Sequence, residues 1–104
     1  MKSTVMYAVI GVWNMDPSRW DEHQRVLHEQ LVPMVSQSPG FVAGYSMGDR
    51  SASKTYTTIV LEDEAAALRF KAFVSGDEVK SNQEQSGVYN ESLTVVEVFA
   101  KARL

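Results

Sequence analysis

A chain of 104 residues with a formal charge of −3 is sized for a single domain spanning 1–104 and one hydrophobic core. It contains no cysteine, which excludes disulfides and thiolate metal sites, and no cluster of lysine and arginine, which excludes the counterion-displacing surface that nucleic acid requires. No apolar run approaches the roughly 20 residues of a membrane-spanning helix, so neither nucleic acid nor membrane is an expected partner.

Lys2 followed by apolar Val5 to Trp13 has the outline of a secretory leader. No small-x-small cleavage site follows, and the expected location is cytoplasmic. The segment reads instead as a first strand from Thr4 to Asn14, rich in β-branched and aromatic residues. Val5, Tyr7, Val9 and Trp13 fall on one face and Met6, Ala8, Ile10 and Val12 on the other. Both faces are apolar, whereas a sheet with one wet face alternates. A strand covered twice in so short a chain implies a partner subunit, and a homodimer is the economical expectation. Gly11 is expected to mark a bulge or a close backbone approach.

Asp16-Pro17 predicts a helix start, an aspartate N-cap with proline at the first helical position. The helix is expected to run to about Gln37. Trp20, Leu27, Leu31 and Met34 lie within about 40° of one line and form its buried stripe. Pro33 breaks the pattern and is expected to kink or loosen the last turn. Pro39-Gly40 then ends the helix, and Phe41 to Gly48 reads as a second strand. Strict alternation puts Phe41, Ala43, Tyr45 and Met47 on one face of it and Val42, Gly44 and Ser46 on the other.

The polar stretch Asp49 to Lys54 predicts a hairpin turn into a third strand, Thr55 to Leu61. Glu62-Asp63-Glu64 opens a second helix with acids suited to its positive end, and Gly76 is expected to stop it. The residues from 77 to 92 are polar and weakly patterned, readable as a short helix with a loop or as a flap. Between Glu62 and Glu91 seven acids face three bases. Leu93 to Ala102 is the expected last strand. The order β-α-β-β-α-β predicts an α+β, ferredoxin-like subunit: a four-stranded antiparallel sheet with two helices on one face.

In that order of elements the chain resembles the antibiotic biosynthesis monooxygenase-like (ABM) domains of the dimeric α+β barrel group. The resemblance rests on His28-Glu29-Gln30-Leu31-Val32-Pro33-Met34-Val35 at the end of helix one and on Pro39-Gly40-Phe41 followed by Gly44-Tyr45. It extends through Thr57-Thr58-Ile59-Val60-Leu61 to the acid- and alanine-rich helix from Glu62 to Phe73. It implies two subunits packed sheet to sheet, each with a cleft between sheet and helices. Some relatives oxidise aromatic, polyketide-like compounds with dioxygen and no cofactor, and others degrade haem. The haem-degrading kind carries an asparagine within strand one and a histidine on the second helix. Here strand one reads Ala8-Val9-Ile10-Gly11 and Asp63 to Ser75 holds no histidine, so no cofactor is expected.

The residues themselves give few catalytic candidates. His28-Glu29-Gln30-Leu31-Val32 lacks the second histidine of a zinc-protease helix. His23 and His28 are about 140° apart around the helix, and no metal site is expected from them. His23, on the flank of the sheet-facing stripe, is the candidate catalytic residue, able to hold a substrate hydroxyl or move a proton near neutral pH. Trp13, Asn14, Trp20, Tyr45 and Tyr56 are the candidates for lining a cleft that takes a small apolar or aromatic ligand. Two functions are in view: a cofactor-independent monooxygenase, implied by the resemblance, or a non-catalytic homodimer that binds a small ligand or serves in assembly.

Overall fold

The computed structural model describes residues 5–102. Lys2, ahead of the apolar segment, and Thr4, the expected start of the first strand, lie outside them. The first strand, β1, spans Tyr7–Met15 and occupies the interior of a four-stranded antiparallel sheet in which the strands lie in the order second, third, first, fourth. Asp16 ends it and caps the turn after it: its Oδ1 accepts the Ser18 backbone N–H at 3.0 Å and the Ser18 hydroxyl at 2.7 Å. Pro17 takes the first helical position, where its missing N–H costs nothing.

The helical run is built of pieces. A 3-10 turn, Pro17–Arg19, leads into α1, Trp20–Val26. A π-helical turn comes next, Leu27–Leu31, in which the Val32 N–H donates to the Leu27 carbonyl five residues back. Then comes α2, Val32–Ser36. Pro33 supplies no N–H and its ring crowds the carbonyl four residues before it, so the wide turn falls where the regular ladder loses its donor. The loosening expected at Pro33 is therefore real but lies ahead of the proline rather than after it.

Gly40 makes the corner between α2 and β2. Its φ of 81° favours glycine, and a Cβ there would stand 2.8 Å from the Ala66 Cβ. Its carbonyl accepts the Glu62 N–H at 2.8 Å, tying the start of β2 to the entry of α3. Strand β2 spans Phe41–Asp49 and β3 spans Lys54–Leu61. Asp49 Oδ1 accepts from the backbone of Ser51 and Ala52 and from the Ser51 hydroxyl, which folds the hairpin turn.

The alternation expected along β2 is overturned by a bulge. Phe41 pairs with Leu61 and Ala43 with Val60, leaving Val42 unpaired. Phe41 therefore faces the helices and packs against the core, while Ala43, Tyr45 and Met47 share the opposite face with Val60, Thr58 and Tyr56. Gly44, Ser46 and Gly48 take the helix side; a Cβ on Gly44 would meet the Ile59 side chain and one on Gly48 the Trp20 ring.

Asp63 caps α3, Glu64–Val74, its Oδ1 accepting the Ala66 N–H at 2.8 Å. Gly76 does more than stop this helix: it is the N-cap of α4, Asp77–Gln85, so the polar stretch is a helix. The expected pair of helices on one face thus gains α4 and has its first member divided. The last strand, β4, spans Val88–Glu97, beginning and ending five residues earlier than expected.

The core lies between sheet and helices in two clusters. Val9, Ile59 and Leu61 meet Ala66, Ala67 and Phe70 beneath α3; Trp13, Met15, Trp20 and Val88 close the far end. The other face of the sheet carries Ala8, Ile10 and Val12 flanked by Tyr56, Val60 and Val96, with Tyr45 68% exposed and Met47 half exposed. The apolar second face read from β1 is present, and no part of the described chain covers it.

Candidate ligand cavity

Where α3 lies on the sheet the core is filled; beneath α1 and the π-turn it is not. A cavity of about 650 Å³ opens there, between the helical run and the helix-facing side of the sheet. That is within the size of typical small-molecule sites. Its floor is set by the register: Val9 and Gly11 from β1, Gly44, Ser46 and Gly48 from β2, Thr55, Thr57 and Ile59 from β3. Leu27, Leu31 and Val35 form the roof, and Val79 and Gln83 of α4 close one end.

Both tryptophans line the cavity and both are buried. Trp13 stands over Gly11, and its indole Nε1 donates to Gln83 Oε1 at 3.2 Å, so α4 fixes the ring. Trp20 lies against Gly48 on one side of its ring, and the Arg50 guanidinium sits 5.1 Å from the ring centroid.

His23, one turn along from Trp20, lines the same cavity and is half-buried. Burial holds its pKa below the usual histidine value, because a charged imidazole would lose hydration there. The ring is neutral at pH 7, with one nitrogen free to accept a proton. His28 also borders the cavity and is exposed.

The candidates thus divide. Trp13, Trp20 and His23 come together around the cavity. Asn14, Tyr45 and Tyr56 do not join them, since pairing places Asn14 opposite Lys54, Tyr45 opposite Thr58 and Tyr56 opposite Val12, all on the sheet's other face. Tyr45 borders the cavity only from that edge strand. Asn14 instead donates to Glu91 at 3.3 Å beside the Lys54–Glu91 ion pair at 2.6 Å; these contacts, Lys54 foremost, hold the Glu91 carboxyl below its usual range. Tyr7 faces the helices toward α3, with its phenol pKa raised by burial and by the nearby Glu64.

Among the polar lining residues not singled out from the sequence are Arg50, Thr55, Thr57 and Gln83. The threonines carried a signal, since period-two reading of β3 puts Thr55 and Thr57 on the face of Ile59 and Leu61. Arg50 and Gln83 lay in polar stretches that offered none.

No protein-family model matches the chain, and no curated protein does. Solved structures share its fold. MupZ from Pseudomonas fluorescens superposes with a TM-score of 0.70 at 9% identity, over 91% of this chain and 70% of that one. A candidate antibiotic biosynthesis monooxygenase from Chloroflexus aurantiacus J-10-fl gives 0.60 at 20% identity, over 93% and 97%. The monooxygenase from the gene ActVA-Orf6 of Streptomyces coelicolor, solved with the ligand Nanaomycin D, gives 0.63 at 14% identity, over 97% and 91%. At these identities the likeness is one of fold, and the fold is that of the antibiotic biosynthesis monooxygenase structures, α+β and ferredoxin-like.

Proposed function

We propose that this chain is a cofactor-independent monooxygenase that holds a small aromatic or polyketide-like substrate in the cavity between its sheet and its helices. The observation that carries the reading is a neutral, half-buried His23 facing an apolar cavity of about 650 Å³ flanked by two tryptophans. The ligand held by the Streptomyces coelicolor monooxygenase of the same fold supports it.

The chemistry suits a substrate with an acidic CH₂ conjugated through aromatic rings to a ketone. The His23 imidazole takes one proton, leaving a carbanion delocalised over the ring system. Dioxygen accepts the electron pair and forms a C–O bond, giving a peroxide that the imidazolium reprotonates. Loss of water then leaves a carbonyl, so CH₂ and O₂ become C=O and H₂O, and His23 is returned neutral. Trp13 and Trp20 hold the plane of the substrate, and the apolar roof excludes water from the carbanion.

Oxygen uptake with anthrone and related substrates tests this. The expected result is one O₂ consumed per substrate, with His23→Gln slowing turnover by about 10²–10⁴-fold while leaving KM little changed. Uptake no faster than in buffer across such a panel overturns it.

A second reading is a non-catalytic binder of small apolar ligands. It is favoured by the absence of any carboxylate from the cavity lining among the described residues, which leaves His23 without an acid to pair with. Saturable binding without oxygen uptake selects it. Under either reading we propose a homodimer formed through the uncovered apolar face of the sheet, with a location in the cytoplasm.

A further inference from the structure

The charges around the cavity are one-sided. Acids outnumber bases in the chain, 13 to 10, yet among the described residues no Asp or Glu lines the cavity, whose titratable side chains are His23, His28, Tyr45 and Arg50. Of these, Arg50 alone carries a full positive charge at every working pH.

Arg19, Arg25 and Lys54 each hold a carboxylate, at 2.8, 3.1 and 2.6 Å. Among the described residues Arg50, like Arg69, Lys71, Lys80 and Lys101, holds no carboxylate, and it alone of these lines the cavity. Its neighbour Asp49 is turned away, engaged with Ser51 and Ala52. The guanidinium lies over the Trp20 ring at the cavity rim, and among the described residues its N–H groups hold no hydrogen-bond acceptor. Nearby, Ser46 and Thr55 offer hydroxyls, and Gly48 leaves the floor low beside Trp20.

Resting on the proposed use of this cavity, we infer that the ligand is an anion: a planar, apolar body with a carboxylate at one end, the body lying along Trp20 and the carboxylate meeting Arg50. A flat ring system in contact with Trp20 brings a substituent at its edge toward the guanidinium that lies over the same indole. A carboxylate is the group that a guanidinium fork recognises through two parallel hydrogen bonds. Arg50 then decides which aromatic compounds are retained, and His23, deeper along α1, remains free for chemistry on the body.

Calorimetric titration with anthraquinone-2-carboxylate and its uncharged carboxamide reads this directly. The wild-type chain is expected to bind the carboxylate about tenfold more tightly, as one charge-assisted contact at a partly exposed rim supplies. Arg50→Gln is expected to abolish that preference with carboxamide affinity unchanged, Arg50→Lys to keep part of it, and His28→Gln to leave it intact. Equal affinity of the wild type for both probes, equal weakening of both by Arg50→Gln, or loss of the preference in His28→Gln overturns the assignment while leaving the cavity reading standing. Binding of neither probe overturns both.

Discussion

The six-membered ring of Trp13 fills the space that a side chain on Gly11 would occupy, two residues back on the same face of β1. The indole is held there from the other end by Gln83. One strand thus supplies both a buried aromatic wall and the bare backbone it folds over. Gly11→Ala places a methyl group against the ring and close to Leu93. The expected result is a loss of about 1–3 kcal/mol in urea unfolding with red-shifted tryptophan emission, as overpacking drives Trp13 toward solvent. Unchanged stability and emission would show that the ring has other places to go.

His23 sets a pH dependence. Its folded pKa lies below the unfolded value of 6.5, so between the two the unfolded chain binds a proton that the native chain does not. Stability therefore rises with pH across that window: it is lost as pH falls from about 6.5 toward the folded pKa and levels off below it. The carboxylates with lowered pKa values, Asp16, Glu22, Asp49 and Glu91, act in a lower range. Urea midpoints at pH 7.5 and 5.5 should differ less in His23→Gln than in the wild type; identical slopes would place the imidazole in water.

Asp63 caps α3 through a single carboxylate oxygen on the Ala66 N–H. Asp63→Ala should cost about 0.5–2 kcal/mol in the same assay, and Asp63→Asn considerably less, since an amide oxygen accepts the same bond. A cost for both alike would point to charge rather than capping.

The uncovered face of the sheet predicts a light-scattering mass twice that of the single chain. Val60 lies half-buried in the middle strands of that face, opposite Ala8 and Ala43. Val60→Glu is expected to give a folded monomer with native far-UV dichroism, because a charge there meets no partner in a dry interface. A wild-type monomer at micromolar concentration would leave the apolar face unexplained.

Much of this architecture was legible in particular residues. Asp16-Pro17 marked a helix start because a carboxylate acceptor and a donorless imide are what that position requires, and both perform those roles. The two apolar faces of β1 were readable because it is an interior strand. The last strand was misplaced because Tyr89 to Ser92 is polar, and it is polar because β4 is an edge strand with that stretch exposed. Helix α4 was obscure because Val79 and Gln83 are its main inward residues. His23, Trp13 and Trp20 could be placed by periodicity alone. Tyr45 could not, since an extra residue in a strand leaves no mark in composition.

That extra residue is Val42. Strand β2 brings nine residues to eight positions of its neighbour, and every residue after Val42 is displaced by one from the alternation its sequence spells. The strand carries a frameshift, written in backbone rather than in code. Removing Val42 would leave each remaining pair with β3 as it stands, Phe41 inward and Tyr45 outward. Removing any one residue from 44 to 48 would instead exchange the faces of those on one side of the gap, turning cavity floor into outer surface. A strand with a cavity floor on one side and an apolar outer face on the other thus has one position at which its length is free to vary.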